Sequence, residues 1–262
     1  MKLRSLLAAI AFWTLILVIA LFLLLPTLVI VPISFTADTV IRFPPEGFSL
    51  RWYENVLANP AWRAATVTSL QTAIGTACLS MALGTAAAIF LYRTEFRGKA
   101  IVQGLLLSPL VTPVIVLAVG VYLVFARWGL SGTLASLIIA HTVLALPFVV
   151  VSVTASLHAV NGNLELAALG LGGSRLYVFR RVLLPLIAPG VVSGGIFAFI
   201  TSWDEVVMAI FLTDPGLRTV PVLIWSQLRA ELDPTMAAVG TILIAISALG
   251  LGAITLLKTR NA

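Results

Sequence analysis

Residues 165–185 read ELAALGLGGSRLYVFRRVLLP. The stretch carries three arginines, three glycines and a proline in the middle of a very apolar chain. Leu164 to Leu171 is predicted to form a short helix. Gly172-Gly173-Ser174 breaks it, because glycine takes backbone conformations that end helices. Arg175 to Leu184 is predicted to form a second helix, with Leu176, Phe179 and Leu183 on one face. Pro185 and Pro189 then mark a turn into the apolar run that follows, since proline suits a helix's first turn and disrupts its interior. Two short helices with a hinge are expected.

The surroundings of this segment define the class of protein. Of 262 residues, 60% are hydrophobic and 10% are charged, against about 25% charged in an ordinary soluble domain. Charge-free windows longer than the ~20 residues that cross a bilayer as a helix recur along the chain. The apolar runs are continuous, which excludes a barrel of short alternating strands. An all-α polytopic membrane protein is expected, with six transmembrane helices at about 8–33, 66–92, 101–126, 133–157, 187–212 and 236–257. The run from Leu6 to Ile33 exceeds the ~7–15 apolar residues of a signal-peptide core, so it is read as a retained first span.

Loop charges orient the bundle. With the N-terminus inside, the inside segments hold Lys2, Arg4, Arg93, Arg97, Lys99, Arg175, Arg180, Arg181, Lys258 and Arg260, ten of the sixteen basic residues. The only inside acids are Glu95 and Glu165, so the inside is net +8 and the outside net 0. Lys and Arg favour the cytoplasmic side, so both termini and the 165–185 segment are expected there. This distribution accounts for the formal net charge of +6 through topology rather than nucleic-acid binding. The single cysteine, Cys78, lies in an apolar run and is read as a buried small side chain. Residues 34–65 contain FPPEGFSLRWYENVLANPAW, whose aromatics and prolines indicate a packed interfacial segment.

Spacing within the opening stretch is specific. It resembles the cytoplasmic loop of binding-protein-dependent ABC importer permeases. That family's pattern is Glu-Ala-Ala, three residues, Gly, nine residues, Ile, one residue, Leu-Pro. Here Ala167-Ala168 are followed by three residues and Gly172, then nine residues, Val182, Leu183 and Leu184-Pro185. The glutamate position holds Leu166, and Glu165 stands one residue early. The resemblance implies a type I importer permease fold forming a single transmembrane permease domain over residues 1–262. Its core helices would cover about 60–260, and its coupling loop about 160–186. It implies an ATPase-coupling role for Glu165, Ala167, Ala168, Gly172, Arg175, Val182, Leu184 and Pro185. It further implies a second homologous permease subunit, two copies of a cytoplasmic ATP-binding subunit and an extracytoplasmic solute-binding protein as partners. The localisation implied is a bacterial inner membrane. The chain has no Gly-x4-Gly-Lys-Ser/Thr loop. ATP and Mg are therefore expected on the partner ATPase, with no cofactor, metal or catalytic residue in this chain.

The fifth span contains FITSWDEVVMAIFLTDPG, where Asp204 and Glu205 are the only acids inside any predicted span. An intramembrane carboxylate costs about 2.5–3.5 kcal/mol at mid-bilayer, so such residues face a pore or a partner. On a continuous helix Thr201, Asp204 and Met208 share one face, with Ser202 and Glu205 on the next. Two readings stand: a polar stripe of Thr201, Asp204 and Glu205 lines a passage for a cationic solute, or the acids are structural, paired with Arg218 or Arg229 or hydrogen-bonded to another helix. Trp203 is read either as a ring that stacks a cation or as an interfacial anchor. His141, in the fourth span, is read as a hydrogen-bonded helix contact. The stretch from Thr201 through TVPVLIWSQLRAELDPTMAAVGT resembles the branch of these permeases that serves spermidine and putrescine importers. That branch also includes importers of 4-aminobutyrate, opines and other small organic solutes. The contrasting class, an ion-coupled secondary carrier using Asp204 or Glu205, lacks the visible internal repeats common among such carriers.

Overall fold

A computed structural model describes residues 2–230 and 233–245. All regular structure among them is helical. In chain order the helices are α1 Lys2–Ile33, α2 Arg51–Ala58, α3 Pro60–Arg93, α4 Lys99–Leu107, α5 Val114–Arg127, α6 Leu134–Ala159, α7 Asn163–Gly170, α8 Arg175–Val178, α9 Leu184–Trp203, α10 Val207–Leu212, α11 Val220–Ala230 and α12 Thr235–Ala245. A 3₁₀ turn, Ser108–Leu110, follows α4, and a π turn, Phe179–Leu183, joins α8 to α9.

Among the described residues, four helical stretches are long and apolar enough to cross a bilayer: Ile10–Ile33, Pro60–Arg93, Leu134–Ala159 and Arg175–Trp203. A fifth is assembled from Lys99–Leu110 and Val114–Arg127, bent by 105°. The third span, expected at 101–126, is therefore two helices rather than one. Pro113 has no N–H to donate and disfavours helical backbone at Thr112. Its own ψ of 126° turns the chain before α5 begins. For the sixth expected span the described part is α12, an eleven-residue helix too short to cross alone. Residues 246–257 of that expectation lie outside the described residues.

The described residues within Met1–Arg63 and Ile224–Ala262 form one compact unit, and Ala64–Leu223 form another. In the first, α1 is largely exposed from Ile10 to Ile30 in the isolated chain. The segment after α1 is tied down rather than loose. Trp52 Nε1 donates to the Thr36 carbonyl at 2.8 Å, Ser34 Oγ and Tyr53 OH lie 2.6 Å apart, and Asn55 donates to Thr235 Oγ1 at 3.0 Å.

The second unit is held by close helix approach. Gly190, Gly194, Ala198 and Ser202 recur every four residues on α9, and all are buried against α6. A Cβ at Gly190 would sit 2.6 Å from the Ser152 carbonyl, and one at Gly194 would sit 2.8 Å from Val149 Cα. Small residues at this spacing let two backbones touch, which is how helices associate where lipid removes the hydrophobic drive. Val149, Val153, Leu157, Leu183 and Ile187 fill the core beside this seam. A second cluster joins Ala118 and Phe125 of α5, Leu137, Ala140 and Leu144 of α6, and Met208, Ala209 and Leu212 of α10. Cys78 is exposed in the isolated chain, contrary to its expected burial. Its position on α3 turns it away from these clusters.

Candidate functional site

The loop at 160–186 begins as a helix and is stopped by a specific hydrogen-bond pattern. α7 ends at Gly170. The Gly173 N–H donates to the Ala168 carbonyl at 3.1 Å and the Gly172 N–H to the Leu169 carbonyl at 3.0 Å. This is a Schellman closure, with Gly172 in the left-handed conformation at φ +86°. The glycine of the family spacing therefore sits where a side chain costs most, and Ala168 supplies the carbonyl that locks the stop. Ser174 opens α8 by accepting the Tyr177 N–H at 3.3 Å.

Beyond α8 the structure departs from expectation. No turn occurs at Pro185 or Pro189. Helix continues from Arg175 to Trp203, and the irregularity is the π turn, in which the Leu184 N–H reaches back five residues to the Phe179 carbonyl. Pro185 cannot donate to Arg181, so the ladder is already incomplete there and an extra residue is accommodated. Pro185 itself lies in the first turn of α9. The wider turn also shifts the buried face: Val178 and Leu183 are buried, while Leu176 is exposed.

Of the expected coupling residues, Ala167, Gly172, Arg175 and Pro185 are exposed, and Glu165, Ala168, Val182 and Leu184 are half-buried. Leu166, at the glutamate position, is 67% exposed and Leu171 is 90% exposed. Leu164 and Leu169 are exposed as well, so α7 presents apolar side chains with nothing over them. Glu165 forms an ion pair with Arg93, which ties α7 to the end of α3. Sequence spacing did not reveal that pair. The available signal was that Glu165 is one of two acids among the basic residues of the predicted inside segments.

The fifth span is interrupted at its acids. α9 ends at Trp203, Asp204 is its exposed C-cap, and α10 starts at Val207. Glu205 Oε1 accepts the Met208 N–H at 2.7 Å and so caps α10. The continuous face of Thr201, Asp204 and Met208 is thereby replaced: Met208 is buried, Asp204 exposed and Thr201 half-buried. Trp203 stacks on Phe199, with centroids 5.9 Å apart and planes 12° from parallel. Among the described residues neither acid forms an ion pair with Arg218, and Arg229 lies over the Trp225 ring. α5 and α10, which start after the two interruptions, pack against each other. Val114 and Val207, their first residues, both border the same buried cluster.

His141 is fully buried on α6. Its Nδ1 lies 2.8 Å from Ser202 Oγ, and Ser202 Oγ donates to Thr76 Oγ1 at 3.3 Å. The histidine is the hydrogen-bonded helix contact expected from sequence.

This architecture has a counterpart among solved structures. A bacterial ABC transporter involved in the import of the acidic polysaccharide alginate matches with a TM-score of 0.73 over 97% of each chain, at 14% identity. The fold is that of an ABC importer permease. The family follows from sequence. Residues 80–262 match the binding-protein-dependent transport system inner membrane component, and the chain belongs to that family. It is a multi-pass inner-membrane permease, the non-catalytic transmembrane subunit of an ABC importer, and the family implies a partner ATPase and a binding protein. The spermidine/putrescine transport system permease protein PotC of Haemophilus influenzae is 34% identical over 226 residues, covering 86% of this chain and 88% of PotC. PotC of Escherichia coli K12 is 32% identical over 228 residues, covering 86% and 85%. The putrescine transport system permease protein PotI of the same strain is 31% identical over 230 residues, covering 85% and 82%.

Proposed function

We propose that this permease carries a small organic cation of the polyamine class, and that the interrupted fifth span forms part of its path. The observation that carries the reading is the break at Asp204–Val206. It leaves the Asp204 carboxylate exposed beside a helix end while Glu205 is engaged in capping. A carboxylate at the C-terminal end of a half-helix favours a cation, because the helix dipole places partial negative charge there too. The names of the relatives point to the same solute class.

Two ATPase copies and a second homologous permease complete the transporter in this reading. The single permease domain spans 1–262, with six spans and both termini in the cytoplasm. Loop 160–186 is then the coupling segment. Its exposed leucines on α7 and the exposed Arg175, Arg180 and Arg181 give the ATPase an apolar patch rimmed by positive charge. Glu165 acts from within the chain, holding α7 to α3, while Leu166 takes the outward position.

The deciding experiment is ATP-driven uptake of radiolabelled putrescine by the assembled transporter in proteoliposomes, compared between wild type and Asp204→Asn. Loss of uptake with the complex intact supports the reading. Unchanged putrescine uptake by the variant overturns the role of Asp204. Absence of putrescine uptake in wild type, with 4-aminobutyrate carried instead, overturns the solute class.

A further inference from the structure

We propose that His141 is a positioning residue for the acid-bearing interruption of the fifth span, an inference that rests on the pathway role given above to Asp204. The interruption needs an external support. α10 has six residues, far below the ~12–15 at which a helix is stable by itself. α9 ends one residue beyond Ser202. Where Asp204 sits is therefore decided by what holds the last turn of α9 and the first turn of α10.

α6 holds both. On one side Leu137, Ala140 and Leu144 pack with Met208, Ala209 and Leu212 of α10. On the other, within the same two turns of α6, His141 Nδ1 engages Ser202 Oγ at 2.8 Å. Ser202 passes the connection to Thr76 on α3 at 3.3 Å, and Thr76 Oγ1 reaches the Ile138 carbonyl of α6 at 3.4 Å. Three helices are thus stitched by side-chain hydrogen bonds two residues before the break. Ser202 continues the small-residue seam of Gly190, Gly194 and Ala198, so the polar tie sits where the helices already touch. His141 is fully buried, which separates it from any solute passing Asp204. Its Nε2 has no hydrogen-bond partner among the described residues, so Nδ1 is the nitrogen that bears the role.

The amide of asparagine falls near the position of Nδ1, that of glutamine nearer Nε2, and leucine fills similar volume with no hydrogen bond. This gives a test independent of packing. The assembled transporter would carry Cys78→Ala and Val206→Cys, so that one thiol in this chain reports the break. Its rate of modification by a small thiol reagent would be measured beside the half-saturation concentration for putrescine uptake. His141→Leu and His141→Gln are expected to change the modification rate several-fold and to raise half-saturation by about fivefold, roughly 1 kcal/mol. His141→Asn restores both, and Ser202→Ala reproduces the leucine variant. The proposal is overturned if His141→Leu matches wild type in modification rate, if it matches wild type in half-saturation while Asp204→Asn impairs uptake, or if asparagine fails as leucine does. If His141→Leu does not assemble, Ser202→Ala decides by the same criteria. Failure of the pathway reading is seen separately, as unchanged uptake in Asp204→Asn. The modification rate then still decides whether His141 fixes the break.

Discussion

Asp204 and Glu205 are neighbours in sequence, yet the interruption gives them different work. Glu205 caps α10 through the Met208 N–H, whereas Asp204 is exposed at the end of α9. Glu205→Gln keeps an acceptor oxygen and is expected to retain the cap, while Glu205→Ala costs on the order of 1 kcal/mol of local stability. Thermal unfolding of the purified complex in detergent checks this ordering. Asp204→Asn is expected to raise the half-saturation concentration for a dicationic solute about tenfold, equal to ~1.4 kcal/mol, with no comparable loss of stability. Gly172 offers a second contrast at this scale. Its φ of +86° makes Gly172→Ala strained by about 1–2 kcal/mol. A Cβ at Gly170 meets nothing within 4 Å, so Gly170→Ala is expected to be neutral or slightly stabilising. Limited proteolysis between α7 and α8 should be faster in the first variant only.

At the scale of elements, α6 and α9 depend on backbone proximity. Gly194→Ala would place Cβ 2.8 Å from Val149 Cα, where the obstacle is backbone and cannot rotate away. A loss of about 1–3 kcal/mol is expected. Gly120→Ala on α5 meets nothing and serves as the neutral control, both read by thermal unfolding. These elements also show what the sequence made legible. Gly172-Gly173-Ser174 announces the helix stop, and the observed Schellman closure explains it. The interruption at Asp204–Val206 was hidden because no proline or glycine marks it. It arises from a competing local bond, the Glu205 cap, and from tertiary support on α6, neither of which periodicity registers. Composition marks the third span but leaves its 105° bend unread, although Pro109 and Pro113 lie within it. Prolines report a defective ladder without fixing the direction in which the chain leaves it. The π turn is illegible for a related reason: Pro185 signals the defect, and the chain resolves it by widening rather than turning.

For the whole molecule, the exposed apolar length of α1 and the uncovered leucines of α7 mark this chain as one part of an assembly. Purification from native membranes in mild detergent is expected to bring down a nucleotide-binding subunit and a second permease. Recovery of this chain alone, still moving solute without ATP, would return the secondary-carrier reading. Orientation is checked by single cysteines in a Cys78→Ala background. Thiols placed at Arg97 and Arg175 should resist a membrane-impermeant reagent in intact cells, and one placed at Arg127 should react. The π turn bears on the molecule in another way. A π turn is an α-helix that has absorbed one additional residue without disturbing either flank. Removing one residue between Phe179 and Leu183 would return that turn to regular helix, with the Gly172 stop and the α9 seam both in register. The same deletion between Gly190 and Ser202 would rotate every later side chain by about 100°. A one-residue deletion is therefore expected to cost less folding stability in this five-residue window than in the seam.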